Sequence, residues 1–403
     1  MSAGIEFLPE GTITSAKGFL AGATFAGINK HAKHNLDLGI LFSEAPCTST
    51  GLFTTNKIKA APVSLCQERL PSKTARAVVV NSGCANAGTG DNGLEDAVNI
   101  AISAADIVGV TPRDVLVAST GIIGHRLPIE SIKAALKEIN LSPDGGHSLA
   151  KAIMTTDTAT KEVAVRANGG EFIIGGIAKG SGMIHPQLGT LLCFLATDAK
   201  VDIDFLVPVL QKAVDISFNM VSIDGDASPN DTILIMANGL AGNEVIRQKT
   251  TQADTFQLAL EQACIYLAKA IARDGEGASK LIEVTVSGAD SIPDARSAAR
   301  AVVSSPLVKA AIHGSDPNWG RVIAAVGMSN AKVVESKLDL YIGGICLVKV
   351  GISSLFDEKK VIKALSDSQV YIALDLNLGE AMATAWGCDL SEEYVTINSQ
   401  YTT

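Results

Sequence analysis

Apolar positions recur in two rhythms along the chain. Short runs rich in Val, Ile and Leu, bounded by Gly, Pro, Asn, Asp or Ser, predict strands over 76–80, 114–118, 162–167, 171–178, 190–197, 232–237, 281–287 and 369–375, with a hairpin inside 332–350. Between them, apolar residues spaced by three and four predict helices over 92–107, 128–139, 203–217, 252–273 and 293–304. Several of these open on Pro or on an Asp, Ser or Thr cap. The longest helix carries Phe256, Leu260, Ala263, Cys264, Leu267 and Ile271 on one face, a stripe that must be buried. Strands interleaved with amphipathic helices predict an α/β fold class, mixed α+β, in which helices cover mixed sheets. No repeat of solenoid period and no low-complexity linker divides the 403 residues.

Composition adds that the core is built from small side chains, because 47% of residues are hydrophobic but only 4% are aromatic, and 37 are Gly. A net charge of −9 lacks the footprint of a nucleic-acid binder and favours small-molecule partners. The apolar run 190–197 stops at Asp198, well short of a membrane span. Residues 1–30 have neither a secretory pattern nor a transit-peptide pattern, so the expected location is cytoplasmic. Seven cysteines without a C-x-x-C spacing read as reduced thiols. His31 and His34 stand at i, i+3 with no Cys or carboxylate pattern beside them, and no metal site is expected.

One motif misleads. Gly88-Thr89-Gly90-Asp91-Asn92-Gly93 fits G-x-G-x-x-G between a strand and a helix, but seven residues separate it from the end of the strand at Val80. The acidic residue expected to end a second strand would be replaced by Asp106, which falls in a helix. Walker and nucleophile-elbow spacings are absent as well.

The segment from Ile177 to Phe194 runs from one apolar strand through a Gly- and Pro-rich loop into another, with Thr190 at the entrance of the second. Thr190 reads either as an ordinary polar residue opening a strand or as an N-terminal nucleophile. In the second reading its hydroxyl attacks the Gly189 carbonyl, an N-to-O acyl shift follows, and the ester hydrolyses. The freed α-amine, with a pKa near 8, then serves as base for the residue's own hydroxyl. Gly189 allows backbone angles that other residues resist, and Pro186 stiffens the approach.

Lys179-Gly180-Ser181-Gly182-Met183-Ile184, followed by Pro186, Thr190 and Leu192, resembles the self-cleavage motif of the ornithine acetyltransferases, the glutamate N-acetyltransferases of arginine biosynthesis. Further segments agree in order along nearly the whole chain. They include Gly51 to Val63, Asn81 to Ala87, Ser119 to Gly124, Ile153 to Thr158, Asp224-Gly225-Asp226, Asn230-Asp231-Thr232, Asp274 to Ala278, Gly314 to Arg321, and the tail from Trp386 to Leu390 and on to Asn398 and Thr403.

The resemblance implies a self-cleaving fold of the N-terminal-nucleophile kind. Residues 1–189 would form an α chain and residues 190–403 a β chain, the two intertwined in one protomer. Thr190 would take the acetyl group of N2-acetyl-L-ornithine and pass it to L-glutamate, with Thr120 and Gly121 stabilising the oxyanion. Substrate positions carried over are Thr156, Lys179, Thr190, Glu276, Asn398 and Thr403. No cofactor is implied; acetyl-CoA is a possible co-substrate, and self-association as α2β2 is implied.

A Lys ammonium can hold a carboxylate and a Glu carboxylate an ammonium, although taken alone Lys179 and Glu276 would read as surface charges. Asn398 and Thr403 would read as frayed tail unless it docks, with Ile397 and Tyr401 as apolar anchors. Asn230-Asp231-Thr232 is expected as a turn supporting the site, and Asp316 to Trp319 as a turn with Trp319 packed. Four departures from the family pattern stand out: Gly189 in place of Ala, His185 in place of a small residue, Cys84 in place of Asn and Gly88 in place of Cys. His185 is expected to face solvent. Two other readings share the same residues, a self-cleaving amidohydrolase of N-acyl amino acids and an uncleaved amino-acid-binding module.

Overall fold

The computed structural model describes residues 4–28, 35–167, 169–185 and 191–400. Its architecture is mixed α/β, as the interleaved pattern predicts, with two sheets among the described residues. The larger has nine strands, running Ile5–Phe7, Lys161–Ala167, Phe172–Lys179, Leu192–Thr197, Thr232–Ala237, Leu38–Phe53, Ser72–Asn81 and Val115–Ser119, with Phe19–Thr24 also paired to Leu38–Phe53. The smaller has seven, in the order Ile352–Ser353, Ile345–Lys349, Asp339–Ile342, Gln369–Asp375, Leu281–Ala289, Ala381–Cys388 and Val221–Ser222.

Helix Ala253–Arg273 joins the two sheets. Its predicted face is fully buried, and it packs on Lys161–Ala167 and Phe172–Lys179 of the larger sheet and on Ala381–Cys388 and Val221–Ser222 of the smaller. Removing that much aliphatic surface from water is the main force holding the sheets together. Ring contacts Phe172–Phe256 and Phe205–Phe256, at 5.6 and 6.1 Å between centroids, supply the bulk that the small side chains lack. Helix Ile203–Asp215 starts where Asp202 accepts from the Asp204 amide, and Ile292–Ser304 where Ser291 accepts from Asp294.

Two strand pairings place the chemistry. Phe172–Lys179 runs antiparallel to Leu192–Thr197 with Lys179 opposite Leu192, so the segments on either side of Gly189-Thr190 are neighbours in one sheet. Val115–Ser119 runs parallel to Ser72–Asn81 and delivers Thr120 and Gly121 at its C-terminal end.

The hairpin expected in 332–350 begins only at Asp339, because Lys332 donates its amide to Asp294 and residues 335–337 form a short 3-10 turn. Helix 92–107 is Gly90–Val108 and stops on Gly109 at φ 70°. Gly93 of the misleading motif sits inside that helix, where a Cβ would lie 2.0 Å from the Thr89 hydroxyl, so packing accounts for it. The seven cysteines are free, and all but Cys346 are buried. Among the described residues no helix is long and apolar enough to cross a membrane. His31 and His34 lie outside the described residues.

Candidate active site

A cavity opens where the ends of Val115–Ser119 and Phe172–Lys179 meet the loops 224–230 and 274–277 and the C-terminal helix Glu392–Gln400. Thr120, Gly121, Thr156, Lys179, Glu276 and Asn398 all line it, though they are separated by up to 278 residues of sequence. Gly189, Thr190 and Thr403, the other expected site residues, lie outside the described residues, as does Tyr401.

Thr120 and Gly121 form a donor corner. The Thr120 amide is spent on the Asn81 carbonyl at 3.0 Å, which leaves the Thr120 hydroxyl and the Gly121 amide as the donors facing the cavity. Gly121 sits at φ 126° with its α-carbon against Gly83; an added Cβ would lie 2.4 Å from the Gly83 carbonyl carbon. Behind the corner, Ser119 donates its hydroxyl to Asn81 at 2.6 Å, and Asn230 donates to the carbonyls of Ser119 and Ala85 at 2.7 and 2.6 Å. Cys84 packs beneath it and donates to the His125 carbonyl.

Lys179 is buried, not on the surface as its charge alone would suggest. Its ammonium donates to the Thr155 hydroxyl at 2.8 Å and stands 3.9 Å from Asp157, so donors remain for a ligand. Burial pulls its pKa below the ordinary lysine value, against the charges of Asp157 and Glu276. Asp157 accepts from Lys161 and from the Gly180 amide, both at 2.7 Å, and Lys161 bridges on to Asp274 at 2.6 Å. Burial raises the Asp157 carboxyl, but Lys179, Lys161 and these hydrogen bonds outweigh it and hold the pKa at about 2. A buried cation is tolerated here because the buried Asp157 and the half-buried Asp274, more than a hundred residues apart, flank the pair of lysines.

Glu276 is fixed from both sides. Its amide donates to the Ser181 carbonyl at 2.7 Å, and its carboxylate accepts from Asn398 at 2.7 Å. Gly182 is small because Glu276 crosses it, and a Cβ added there would lie only 2.6 Å from the Glu276 carboxyl. The Thr156 hydroxyl is shared with Ser181 at 2.7 Å. The C-terminal segment docks as a helix that Asn398 ties to Glu276; of the two expected apolar anchors, Ile397 is half-buried and Tyr401 lies outside the described residues.

Several participants were not singled out by the sequence. Asp224 accepts from the amides of Met183, Ile184 and Asp226 and from the Tyr394 phenol, tying the loop after Lys179 to the C-terminal helix. Burial raises both the Asp224 carboxyl and the Tyr394 phenol, so Tyr394 stays a proton donor. Asp231 is fully buried and accepts from the Leu191 amide at 3.1 Å; burial pushes its carboxyl well above the usual range. The expected turn at 230–232 thus supports the site through both Asn230 and Asp231. His185 corrects the solvent-facing expectation. It is half-buried, its Nδ1 is 3.3 Å from the Ser222 hydroxyl, and burial lowers its pKa. Trp319 packs partly buried at the start of helix Trp319–Gly327 after the expected turn.

Arranged this way, the cavity offers an ammonium, a carboxylate and a two-donor corner, a set suited to an N-acyl amino acid. Residues 20–403 match the profile described as the ArgJ family. The chain is 51% identical over 405 residues to the arginine biosynthesis bifunctional protein ArgJ of Dehalococcoides mccartyi (strain CBDB1), covering 100% of both chains. It is 47% identical to the protein of the same name from Symbiobacterium thermophilum, covering 98% of this chain and 99% of that one. A crystal structure of the arginine biosynthesis bifunctional protein ArgJ from Bacillus halodurans superposes with a TM-score of 0.51 at 42% identity, covering 52% of this chain and 98% of the solved one. With a profile match over nearly its full length and these full-length relatives, the chain belongs to the ArgJ family.

Proposed function

We propose that the protein is a glutamate N-acetyltransferase of arginine biosynthesis that moves acetyl from N2-acetyl-L-ornithine to L-glutamate through an acetylated Thr190. The observation that carries this reading is the placement of Thr120, Gly121, Lys179, Glu276 and Asn398 on one cavity in a chain of the ArgJ family. Division into residues 1–189 and 190–403 is part of the proposal. It is supported by the antiparallel pairing of Lys179 with Leu192, which would keep both pieces in one sheet, and by the half-length match to the Bacillus halodurans chain.

The Thr190 hydroxyl attacks the acetyl carbonyl of the donor, its proton passing through the α-amine of the same residue. The Thr120 hydroxyl and Gly121 amide hold the oxyanion, and such a donor contributes roughly 3 to 4 kcal/mol to the barrier lowering. The C–N bond breaks, the proton goes to the departing amine of ornithine, and an acetyl ester remains on Thr190. Glutamate then attacks that ester with its α-amine, the C–O bond breaks, and the proton returns to the hydroxyl. Lys179 holds the α-carboxylate of either amino acid and Glu276 faces its α-nitrogen. The chemistry needs no group besides the two substrates, with acetyl-CoA as an alternative acetyl donor, in a protein that acts in the cytoplasm as an α2β2 assembly.

Denaturing electrophoresis combined with an acetyl-transfer assay tests the reading. The protein should run as two fragments, each about half of 41.7 kDa, and Thr190→Ala as one full-length band without activity. Incubation with acetylornithine and glutamate should yield acetylglutamate. Free acetate as the main product would mark an amidohydrolase, and an uncleaved, inactive chain an amino-acid-binding module. A parallel incubation with acetyl-CoA and glutamate decides whether both acetyl donors are used.

A further inference from the structure

Among the described residues the cavity is lined by one ammonium, Lys179, and three carboxylates, Glu276, Asp224 and Asp226. Hydrogen-bond accounting separates the three acids. Asp224 accepts from three amides and a phenol, which fills both of its oxygens. Glu276 is engaged by Asn398 and backs onto Gly182. Asp226 is exposed at the rim, and among the described residues no side chain or amide donates to its carboxylate.

Position separates them too. Glu276 is tied to the Ser181 carbonyl and crosses Gly182, just after Lys179, whereas Asp226 donates its amide to Asp224, which is tied to the Met183 and Ile184 amides farther along the same loop. Glu276 and Lys179 therefore share one end of the cavity, where an α-carboxylate and an α-nitrogen fit side by side. Asp226 marks the other end.

We propose that Asp226 is a specificity-determining residue that selects an acetyl donor whose side chain ends in an ammonium group. This rests on the acetyl-transfer reading above and extends it to the side-chain end of the substrate. An amino acid anchored by its α-groups must send its side chain away from Lys179, and among the described residues the cavity carboxylate with both oxygens available there is Asp226. The donor ends in a cation and the acceptor in an anion, yet both use the same cavity in turn. A fixed carboxylate at that point stabilises the first and opposes the second, so it favours loading of the enzyme from the diamino acid and sets a weaker affinity for glutamate.

The test compares N2-acetylornithine with its uncharged isostere N2-acetylnorvaline in the wild type, Asp226→Asn and Asp226→Glu. In Asp226→Asn the ratio of kcat/KM for acetylornithine over acetylnorvaline should fall by about five- to tenfold, the change residing mainly in KM, while KM for glutamate decreases. Asp226→Glu should restore the preference. Raising the ionic strength should weaken acetylornithine use in the wild type and have little effect in Asp226→Asn. An unchanged selectivity ratio in Asp226→Asn would overturn the proposal. Calorimetric binding of ornithine against norvaline separates the two levels. If the wild type transfers no acetyl, the functional reading fails. A charge preference in binding that disappears in Asp226→Asn would still support the role of Asp226, and its persistence there would still overturn it.

Discussion

The side-chain amide of Asn230 holds the carbonyl of Ser119 at 2.7 Å, across 111 residues, and so fixes the strand end from which Thr120 and Gly121 project. The same nitrogen holds the Ala85 carbonyl at 2.6 Å. Asn230→Ala would leave two buried acceptors without a donor, at a cost of about 2 to 4 kcal/mol. Because the freed carbonyl belongs to the residue before the donor corner, kcat should drop at least about tenfold with a smaller change in KM. Urea unfolding and steady-state kinetics on the same preparation check both. A stable variant with normal kcat would mean that Asn230 does not position the corner.

Gly121 gives a sharper version of the same test. At φ 126°, with Gly83 and Cys84 against its α-carbon, it has no room for a methyl group. Gly121→Ala must push the 83–84 turn and the 120–122 turn apart, moving the very amide that faces the cavity. The expected loss is roughly a hundredfold in kcat, together with a thermal midpoint lowered by a strain of about 1 to 3 kcal/mol. Gly124→Ala, also at positive φ but with open space around its α-carbon, should cost stability without comparable loss of kcat.

How far the sequence is legible follows from what each element buries. Strands 232–237 and 369–375 match their predicted limits, and helix 252–273 differs only in starting one residue later, because each has a clean apolar rhythm. The 16-residue strand Leu38–Phe53 escapes that reading. Its stretch Ser43 to Gly51 is broken by Pro46 and by polar residues, and register shifts on either side of Cys47 cancel the alternation. The C-terminal helix escapes for the opposite reason, since no residue in it is buried and no apolar stripe exists to read. At the site, family motifs point to Lys179 and Glu276, but nothing local signals that Lys179 is buried. That depends on Asp157, Lys161 and Asp274 converging in space. Asp224 and Tyr394 stay hidden because their roles depend on each other.

The buried charges predict a pH response with a definite sign. The Asp157 carboxyl is held at about 2, below its ordinary 3.8, by Lys179 and Lys161 in spite of its burial. A carboxyl depressed in the folded state contributes stability that is complete above its unfolded pKa and is lost as pH falls through the folded value. Unfolding free energy measured from pH 5 to 2 should therefore decline, steepening below about pH 4. Asp157→Asn should flatten that decline. At neutral pH it should cost about 3 to 5 kcal/mol, because Lys179 would keep only a hydroxyl as its close partner.

The C-terminal helix separates binding from stability. Glu392–Gln400 buries none of its residues and is held by polar contacts: Tyr394 to Asp224 at 3.3 Å, Asn398 to Glu276 at 2.7 Å, and Ser391 to the Gly277 carbonyl at 2.6 Å. Exposed hydrogen bonds of this kind contribute little to global folding, so removing residues 392–403 should shift the thermal midpoint by no more than about 2 °C. The same deletion frees the Glu276 carboxylate and opens one wall of the cavity, and KM for acetylornithine should rise at least about tenfold. Asn398→Ala should reproduce much of that rise, since it removes the donor that orients Glu276. Tyr394→Phe should have a smaller effect, because Asp224 keeps its three amide donors. Equal losses of thermal stability and substrate affinity on truncation would show instead that the helix is part of the folding core, although none of its residues is buried.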